Sequence, residues 1–163
     1  MLIFAQILPV KKCLPIVALC VLFAGCGTLD VFEKIVSFSG HEWKSSEKPT
    51  FTFTITDTVS RYDIYVIFRH EDAYHFKNLW VNISTIAPKD TLKTQLLNIP
   101  LADNKKGWLG SGMDDVFDHR ARITSLPIKL KKGDYTFTLQ QAMREEPLQF
   151  ALATGIRVEK SKR

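Results

Sequence analysis

The sequence predicts an all-β protein, an antiparallel β-sandwich of Greek-key or jelly-roll type with about seven or eight strands. Three observations lead to this prediction. Apolar and polar residues alternate with a period of two in several short segments, most clearly in TFTFTIT at residues 50–56. Clusters of turn-forming residues separate these segments at spacings of about eight to twelve residues. No stretch of useful length has the period of an amphipathic helix.

The overall composition is that of a folded protein rather than a disordered one. Of the 163 residues, 45% are hydrophobic and 24% are charged, which is ordinary for a globular chain. The net charge of +5 is only mildly basic, and a nucleic-acid-binding protein usually concentrates more positive charge than this. We therefore expect no nucleic-acid partner.

The first 25 residues are predicted to be a secretory signal peptide. Lys11 and Lys12 precede the uncharged run CLPIVALCVLFAG at residues 13–25. A basic step followed by a short apolar run and small residues is the pattern of such a peptide, and the run is short for a bilayer-spanning helix. The alternative interpretation is a buried N-terminal strand or helix.

Cys26 is the predicted lipidation site. The segment Leu22–Cys26 resembles a bacterial lipobox, in which small residues precede a cysteine whose thiol accepts a diacylglycerol. The match departs from the strict pattern at Phe23, where a leucine is usual. Of the three cysteines only Cys26 remains after cleavage, so the mature chain has no internal disulfide pair. The alternative is ordinary cleavage near Ala24, without lipid attachment.

The domain organisation predicted from these features has three parts. Residues 1–25 are the signal peptide, residues 26–45 are a lipidated tether with a lead-in segment, and residues 46–163 are a single sandwich domain. Apolar residues of the lead-in segment are expected to pack at the edge of the domain: Phe32, Ile35, Val36, Phe38 and Trp43.

Four strands are predicted in the first half of the domain, at residues 50–56, 62–68, 78–86 and 91–97. In the first of them Phe51, Phe53 and Ile55 are expected to face the core, and threonines to face outward. The second, YDIYVIF, is more apolar and is expected to be central. A tight turn with Pro88 at its second position precedes the fourth, in which Leu92, Thr94 and Leu96 share one face.

The second half of the domain begins with a segment that breaks the alternation, residues 100–121. Gly107, Gly110 and Gly112 surround Trp108 there, which indicates unusual backbone dihedrals or close backbone approach. Residues 114–120 are predicted to be one helical turn or an irregular edge. Later strands are predicted at 126–130, 135–141 and 154–159, with a hairpin-type turn at 132–134 and a core face of Tyr135, Phe137 and Leu139.

The sequence lacks common enzyme signatures. It contains no Gly-x-Ser-x-Gly elbow, no glycine-rich phosphate loop and no His-Glu-x-x-His motif. Two polar clusters offer metal-type ligands, His70-Glu71-Asp72 with His75, and Asp114-Asp115 with Asp118. The first falls on a predicted turn without a closing ligand, and the second lacks the spacing of a calcium loop. We therefore expect no enzyme, metal or cofactor.

The larger aromatic residues suggest an alternative function. Trp43, Tyr65, Trp80 and Trp108 could stack on sugar rings, as in exported carbohydrate-binding sandwiches, although a sandwich core needs large side chains as well. Trp108 stands out because its glycine-rich surroundings would place it on a loop. The exposure of Trp80 and Trp108 in one plane would favour sugar binding, and their burial would favour a core role.

These features together resemble the GldH gliding-motility lipoproteins over nearly all of residues 26–160. Besides Cys26 and the Trp43 segment, the matching pieces are FTFTITDT at 51–58, YDIYVIFRH at 62–70, NLWVNI at 78–83, DTL at 90–92, GWLGSGMDDV at 107–116, GDYTFTLQQAMRE at 133–145 and GIRVEK at 155–160. Family members often have a longer insertion before the terminal strand, which is short here, at residues 147–153.

The resemblance implies a cell-envelope lipoprotein needed for bacterial gliding and linked to the associated type IX secretion machinery. It implies no catalytic residue. The expected partners are the membrane, through the diacylglyceryl and acyl anchor, and protein subunits of the motility and secretion apparatus. The expected location is the cell envelope, facing the periplasm rather than the cell surface. A surface carbohydrate-binding lipoprotein is the alternative.

The candidate partner-binding residues are Trp108, Asp114 and Asp115, together with Gln141, Met143 and Arg144. The segment Gly107–Asp115 violates the strand period without the composition of a plain turn, and tryptophan is a common interface anchor. Arg144 is expected to pair with Asp114 or Asp115 and so to hold this segment against the last hairpin. The alternative is that Trp108 only closes one end of the sandwich.

Overall fold

The structure, a computed structural model, describes residues 32–162, and almost all regular structure within them is β-strand. One 3-10 turn covers Ser39–His41. The strands are β1 (Phe32–Ser37), β2 (Glu42–Trp43), β3 (Thr50–Ile55), β4 (Arg61–Glu71), β5 (Asn78–Ile86), β6 (Lys93–Pro100), β7 (Ala102–Asp103), β8 (Gly107–Trp108), β9 (Ser111–Met113), β10 (Val116–Arg122), β11 (Ile128–Lys129), β12 (Gly133–Gln141), β13 (Leu148–Gln149) and β14 (Ala151–Lys160). The predicted antiparallel β-sandwich is confirmed.

The first sheet is built around β4. Its strand order is β1-β14-β4-β10-β9, all antiparallel, and β11 pairs with the first residues of β4. Successive residues of β4, including Val66, Ile67 and Phe68, are buried whichever face they point to. A strand that is covered on both faces needs such a continuous apolar run. The predicted central position of the YDIYVIF strand is therefore confirmed.

The second sheet has the strand order β3-β12-β5-β6, and it confirms the predicted alternation. Phe53 pairs with Tyr135, and Thr52 pairs with Thr136. The core face of β3 and β12 consists of the six residues predicted for it: Phe51, Phe53, Ile55, Tyr135, Phe137 and Leu139, all buried. The hydroxyls of Thr52 and Thr136 lie 3.2 Å apart on the outer face. Burial of one face sets the register, because a one-residue slip would move these core side chains to the face that is exposed to solvent.

In the fourth predicted strand, the buried face is not the one that contains Leu92 and Leu96 but the one that contains Leu97 and Ile99. Strand β6 begins at Lys93, and Leu92 and Leu96 are 61% and 56% exposed. Ile99 is buried instead, on the face that packs against the core. The strand lies at the edge of its sheet, and only its inner face meets the other layer. The alternation of apolar and polar residues alone does not show which of the two faces of an edge strand packs against the core.

The segment predicted as a helical turn or irregular edge at 114–120 is instead a tight turn followed by strand β10. Asp114 has a φ of 53° and lies between the paired strands β9 and β10. Aspartate tolerates this left-handed conformation better than most residues, so the chain reverses there. Residues from Val116 onward then pair with β4, which supplies the hydrogen bonds that a helical turn would have supplied.

Residues 132–134 were predicted as a hairpin-type turn, but Gly133 and Asp134 already belong to β12, and the connection before them, residues 130–132, passes between the sheets. It joins β11, which pairs with β4 in the first sheet, to β12, which pairs with β3 and β5 in the second. The two strands that flank it are therefore not partners. The tight turn around Pro88 is as predicted, because Asp90 N–H donates to the Ala87 carbonyl at 3.0 Å.

The sandwich has two ends, named here by one residue each. The Phe32 end, where β1 begins, comprises residues 57–61, 86–93, 126–134 and 159–162. The Trp108 end comprises residues 38–48, 70–78, 100–115 and 141–150. Strand β1, from the predicted lead-in segment, pairs along β14 at the edge of the first sheet. Within residues 32–162, no helix is long and apolar enough to cross a membrane.

Candidate functional site

Trp108 is held in a small hairpin at the Trp108 end. Strands β7 and β8 pair Ala102 with Trp108 and Asp103 with Gly107. The Asp103 carboxylate accepts hydrogen bonds from the N–H groups of Lys105 and Lys106 at 2.8 and 3.1 Å. Gly107 closes the turn with a φ of 72°, a conformation that favours glycine. The sequence DNKKG thus forms a turn that presents Trp108 next to the main sheet.

The indole of Trp108 is half-buried and anchored by one hydrogen bond. Its Nε1–H donates to Oδ1 of Asp72 at 2.6 Å. Its ring packs edge-on against His70, with centroids 4.4 Å apart, and lies 5.7 Å from Phe117. Trp108 therefore closes this end of the core on one side and leaves part of its ring at the surface.

Beneath Trp108 lies a buried pair of histidines. The Nδ1 of His70 lies 2.7 Å from the Glu71 carbonyl oxygen, which can only accept, so that nitrogen carries a proton. The Nε2 of neutral His70 is then an acceptor, and it receives the Nε2–H of His119 at 2.9 Å. Burial, helped by the neighbouring His70, lowers the pKa of His119 to about 4. Burial also lowers the pKa of His70, so both rings are neutral at neutral pH.

The glycines after Trp108 allow close backbone approach, as the sequence predicted. A Cβ on Gly110 would come within 2.6 Å of the Asp118 carbonyl oxygen and 2.9 Å of the His119 ring. A Cβ on Gly112 would come within 2.7 Å of the Phe117 ring. These contacts let β9 lie directly against β10, and the hairpin then projects its turn into solvent.

The projecting hairpin exposes apolar and acidic side chains together. Met113, at the end of β9, is 79% exposed, and Leu109, which precedes the hairpin, is 48% exposed. Asp114 and Asp115, two of the predicted partner-binding residues, form the exposed turn beyond them. The Asp115 carbonyl also accepts a hydrogen bond from the N–H of Asp72 at 2.7 Å. That bond links the tip of the hairpin to the residue that anchors Trp108.

Gln141 organises the second predicted segment from inside the protein. Its side chain is buried, with Nε2 donating to Oε2 of Glu146 at 2.7 Å and Oε1 accepting from the N–H of Met143 at 2.7 Å. Glu146 also accepts hydrogen bonds from the N–H of Ser45. Gln141 itself is therefore not available to a partner, and it could affect a partner surface only by fixing the conformation of the loop that follows it.

Met143 and Arg144 line a cavity of about 290 Å³ with Trp80 and Phe76. The Sδ of Met143 accepts the N–H of Trp80 at 3.1 Å, and Ala142 N–H donates to the Trp80 carbonyl at 2.9 Å. These bonds fix the loop beside β5. The Trp80 side chain itself stays 38% exposed on the outer face of the second sheet.

A second, more apolar cleft of about 510 Å³ lies between this cavity and the hairpin. Trp108, Tyr74 and Phe76 line it, with Lys77 at its border. Phe76 lines both hollows, so it connects the two predicted groups of site residues. The sequence reading placed a polar turn here and missed Tyr74 and Phe76. The sequence feature that could have identified them is the occurrence of two aromatic residues within an otherwise polar stretch.

The predicted ion pair between Arg144 and Asp114 or Asp115 is wrong. None of the ion pairs among residues 32–162 involves Arg144, which lies in the cavity beside Trp80. The Trp108 segment is held instead by the Trp108–Asp72 bond and by backbone pairing. Oppositely charged side chains do not form an ion pair when the fold places them on separate loops, as it does here.

The two polar clusters considered for metal binding are dispersed in the fold. His70 is buried against His119, whereas the exposed His75 pairs with Glu145 at 2.7 Å. Asp118 pairs with Arg69 at 2.7 Å. No group of three or more histidine, cysteine or carboxylate side chains within the described part of the chain is arranged to hold a metal ion.

The three tryptophans considered for sugar stacking occupy different environments. Trp43 is fully buried and stacks on Phe38 at 4.9 Å. Trp80 and Trp108 line different hollows, and across residues 32–162 no ring contact joins them. The two indoles do not form one continuous platform.

A family model described as GldH lipoprotein matches residues 30–158. The chain belongs to the GldH lipoprotein family. That match covers β1 and almost all of β14, so the family pattern extends over both sheets. The site at the Trp108 end is therefore built from segments that lie within the matched region.

Two curated members of the GldH family are similar to the chain over most of its length. "Gliding motility lipoprotein GldH homolog" of Christiangramia forsetii is 25% identical over 148 residues, which are 86% of this chain and 90% of that protein. "Gliding motility lipoprotein GldH" of Flavobacterium johnsoniae is 25% identical over 146 residues, 85% of this chain and 90% of that protein. The chain thus spans nearly the full length of both relatives.

Solved structures show weaker likenesses to this GldH-family chain. A carbohydrate-binding module specific for non-crystalline cellulose, CBM28, has a TM-score of 0.45 at 8% identity, with 80% of this chain and 74% of that one covered. The infectious bursal disease virus Gt strain structure has a TM-score of 0.32 at 12% identity, covering 80% of this chain and 31% of that one.

Proposed function

We propose that this protein is a non-enzymatic accessory lipoprotein of bacterial gliding motility and the associated type IX secretion machinery, and that it docks on a protein partner through the Trp108 end. Family membership and the names of the two curated relatives support the link to gliding. The link to secretion comes from what the family resemblance implies. The domain acts from the periplasmic side of a membrane that holds its acyl anchor.

The observation that carries the docking proposal is the apolar surface at the Trp108 end. Met113 projects from a hairpin whose base is fixed by the two close-packed glycines, and Leu109 is exposed in the segment that leads into this hairpin. The cleft lined by Trp108 and Phe76 lies at the same end. Exposed apolar side chains on a fixed hairpin beside an aromatic cleft are typical of interface anchors, because the backbone that presents them needs little ordering when a partner binds.

The charge of this end indicates the chemistry of the partner. The Trp108 end has six Lys and Arg residues and nine Asp and Glu residues, a net charge of −3 with histidines neutral. The whole described chain is positive, so the negative charge is concentrated where the apolar hairpin projects. A partner with an apolar groove bordered by basic residues would complement this surface.

The non-enzymatic role is supported by how the polar groups near the cleft are used. His70 and His119 are buried, neutral and bonded to each other, and Asp72 accepts the indole N–H of Trp108. The Glu145 carboxylate pairs with His75. Each of these groups serves the packing of this end, and none is presented to the cleft as an unpaired acid or base.

The experiment places an aspartate on the projecting hairpin. We expect Met113→Asp to reduce gliding or protein secretion strongly while the protein remains abundant and folded, because a charge at an apolar contact opposes docking. Leu96→Asp is the matched control, since Leu96 is 56% exposed on an edge strand outside the Trp108 end. The readouts are colony spreading, secreted protein and the thermal midpoint of each variant.

A photo-crosslinking residue at position 113 then tests contact directly. We expect a covalent adduct with an envelope protein from position 113 and none from position 96. Full motility and secretion in Met113→Asp, with no adduct from position 113, would refute docking at this end. If purified protein instead binds soluble glucans with quenching of Trp80 fluorescence, the carbohydrate-binding alternative replaces the proposal.

A further inference from the structure

The Phe32 end differs from the rest of the surface in charge. Its four segments contain eight Lys and Arg residues and four Asp and Glu residues, a net charge of +4. The opposite end has a net charge of −3, so the domain has a basic end and an acidic end. Two of the four acids are already paired with lysines, Asp57 with Lys160 at 2.9 Å and Asp90 with Lys93 at 2.7 Å.

The same end also exposes large apolar side chains on its loops. Val59 is 84% exposed and Leu126 is 71% exposed. Three more exposed apolar residues lie in the segments of the same end: Ile86, Leu92 and Ile128. Apolar side chains at loop tips among exposed lysines form a surface that suits the boundary between lipid headgroups and acyl chains.

These loops form one continuous surface because they contact each other. Arg61 donates to the Pro127 carbonyl at 3.2 Å, which joins the start of β4 to the 126–134 loop. A Cβ on Gly133 would lie 3.0 Å from the Pro88 ring, so the 126–134 loop also contacts the 86–93 loop. The Asp57–Lys160 pair connects the 57–61 turn to the last strand.

The position of the predicted anchor brings this surface to the membrane. Five residues separate Cys26 from Phe32 in the sequence. A fully extended chain covers about 3.3–3.6 Å per residue, so Phe32 can lie no further than about 20 Å from the lipidated residue. Phe32 pairs with Val158, which pairs with Ile64 near the start of β4. The Trp108 end lies beyond the other end of the eleven-residue strand β4.

We propose that the Phe32 end is a second membrane contact, which binds the anionic headgroups of the leaflet that holds the acyl anchor. Exposed lysines such as Lys129, Lys131 and Lys132 attract the headgroups, and Val59 and Leu126 enter the interfacial layer. The contact orients the domain so that the Trp108 end points away from the bilayer. This inference rests on the lipid anchor and is independent of which partner the Trp108 end binds.

The test compares two adjacent lysine pairs at opposite ends. The full lipidated protein is reconstituted through its anchor into vesicles of phosphatidylethanolamine and phosphatidylglycerol, or of phosphatidylcholine alone. An amine-reactive reagent that does not cross membranes then labels exposed lysines. We expect Lys131 and Lys132 to be labelled about threefold more slowly on the anionic vesicles than on the neutral ones, and Lys105 and Lys106 to be labelled equally on both.

Charge-reversed variants test whether the lysines cause the protection. In K131E/K132E we expect the neighbouring Lys129 and Lys162 to lose their protection on anionic vesicles, whereas K105E/K106E keeps it. Equal labelling of Lys131 and Lys132 on both kinds of vesicle would overturn the proposal. Protection that is found in cell envelopes but not on anionic vesicles would also overturn it, because it would indicate a protein on this surface. Neither result would affect the docking proposal for Met113.

Discussion

The Nε2 atoms of His70 and His119 lie 2.9 Å apart, and the hydrogen bond between them joins β4 to β10 beneath Trp108. Because His70 uses its own proton on the Glu71 carbonyl, the bridging proton belongs to His119. A proton added to His70 would go to its Nε2 and would place two donors face to face, whereas a proton added to His119 would go to its Nδ1 and would place a charge in the buried site. Burial therefore favours the neutral form of both rings, and the bond between them stabilises this end of the sandwich in that form.

The first prediction is that folding stability falls as the pH is lowered through the histidine range. The pKa of His119 is about 4 in the folded protein, against 6.5 in an unfolded chain. Between these values the unfolded state binds a proton that the folded state does not, so the free energy of unfolding decreases as pH falls. The stability is fully present above about pH 6.5, and on the order of 2 kcal/mol is lost by about pH 4.

Urea unfolding followed by tryptophan fluorescence measures this loss. His119→Asn should be less stable than the wild type at neutral pH and should lose less stability between about pH 7 and pH 5. His41→Asn is the control, because His41 is exposed and should keep the loss that His119 causes. An unchanged pH dependence in His119→Asn would contradict the assignment to the buried pair.

The second prediction concerns the two faces of β3. Phe53 is buried and stacks on Tyr135 and Phe137, with centroid distances of 5.6 and 5.8 Å. Phe53→Ala should lower the free energy of unfolding by about 3–5 kcal/mol, through lost burial and the cavity that remains. Thr52→Ala, on the exposed face, should cost less than about 1 kcal/mol. Similar losses in both variants, measured by chemical denaturation, would refute the register.

The third prediction separates two roles of glycine near Trp108. Gly107 has open space around it but a φ of 72°, so Gly107→Ala should cost about 1 kcal/mol from backbone strain. Gly110→Ala should cost more, about 2 kcal/mol or above, because its Cβ would lie 2.6 Å from a backbone oxygen that cannot move independently of β10. The measurement is the free energy of unfolding of each variant. The prediction is contradicted if Gly107→Ala is more destabilising than Gly110→Ala.

The fourth prediction is that membrane attachment requires Cys26, which lies outside the described residues. Cys26→Ser should remove the acyl chains, because a hydroxyl does not replace the thiol in thioether formation. The variant should leave the membrane fraction or remain unprocessed with its signal peptide attached. Metabolic labelling with a fatty-acid analogue is the measurement. A variant that is labelled as strongly as the wild type would show that the lipid lies elsewhere.

Much of the fold could be predicted because local alternation coincides with tertiary burial in the inner strands. Phe51, Phe53 and Ile55 alternate with threonines, and a sandwich can bury only the apolar set. Strand β4 was expected to be central for a similar reason, since a continuous apolar run needs cover on both faces. The candidate site was predicted less completely. Trp108 and its glycines were identified, but Phe76, which connects the two predicted groups, was not.

The failures have a common physical cause in long-range pairing. His119 is buried because β10 pairs with β4, nearly fifty residues earlier in the chain, and nothing local in DDVFDHR indicates that partner. Leu92 and Leu96 are exposed because β6 lies at a sheet edge and only its other face meets the core. Arg144 does not pair with Asp114 or Asp115 because it lies in the loop after β12, whereas the two aspartates lie in the turn between β9 and β10.

The sequence by itself determined the strand pattern, the predicted lipidated cysteine and the resemblance to the GldH family, because each depends on residue types at short or fixed spacings. Only the tertiary structure decided which loops share an end of the sandwich. The basic residues of four separate segments become one surface near Phe32, and the acidic residues of four others surround Trp108. That separation arises because antiparallel strands return the chain alternately to two opposite ends, and pairings distant in sequence choose which loops meet there.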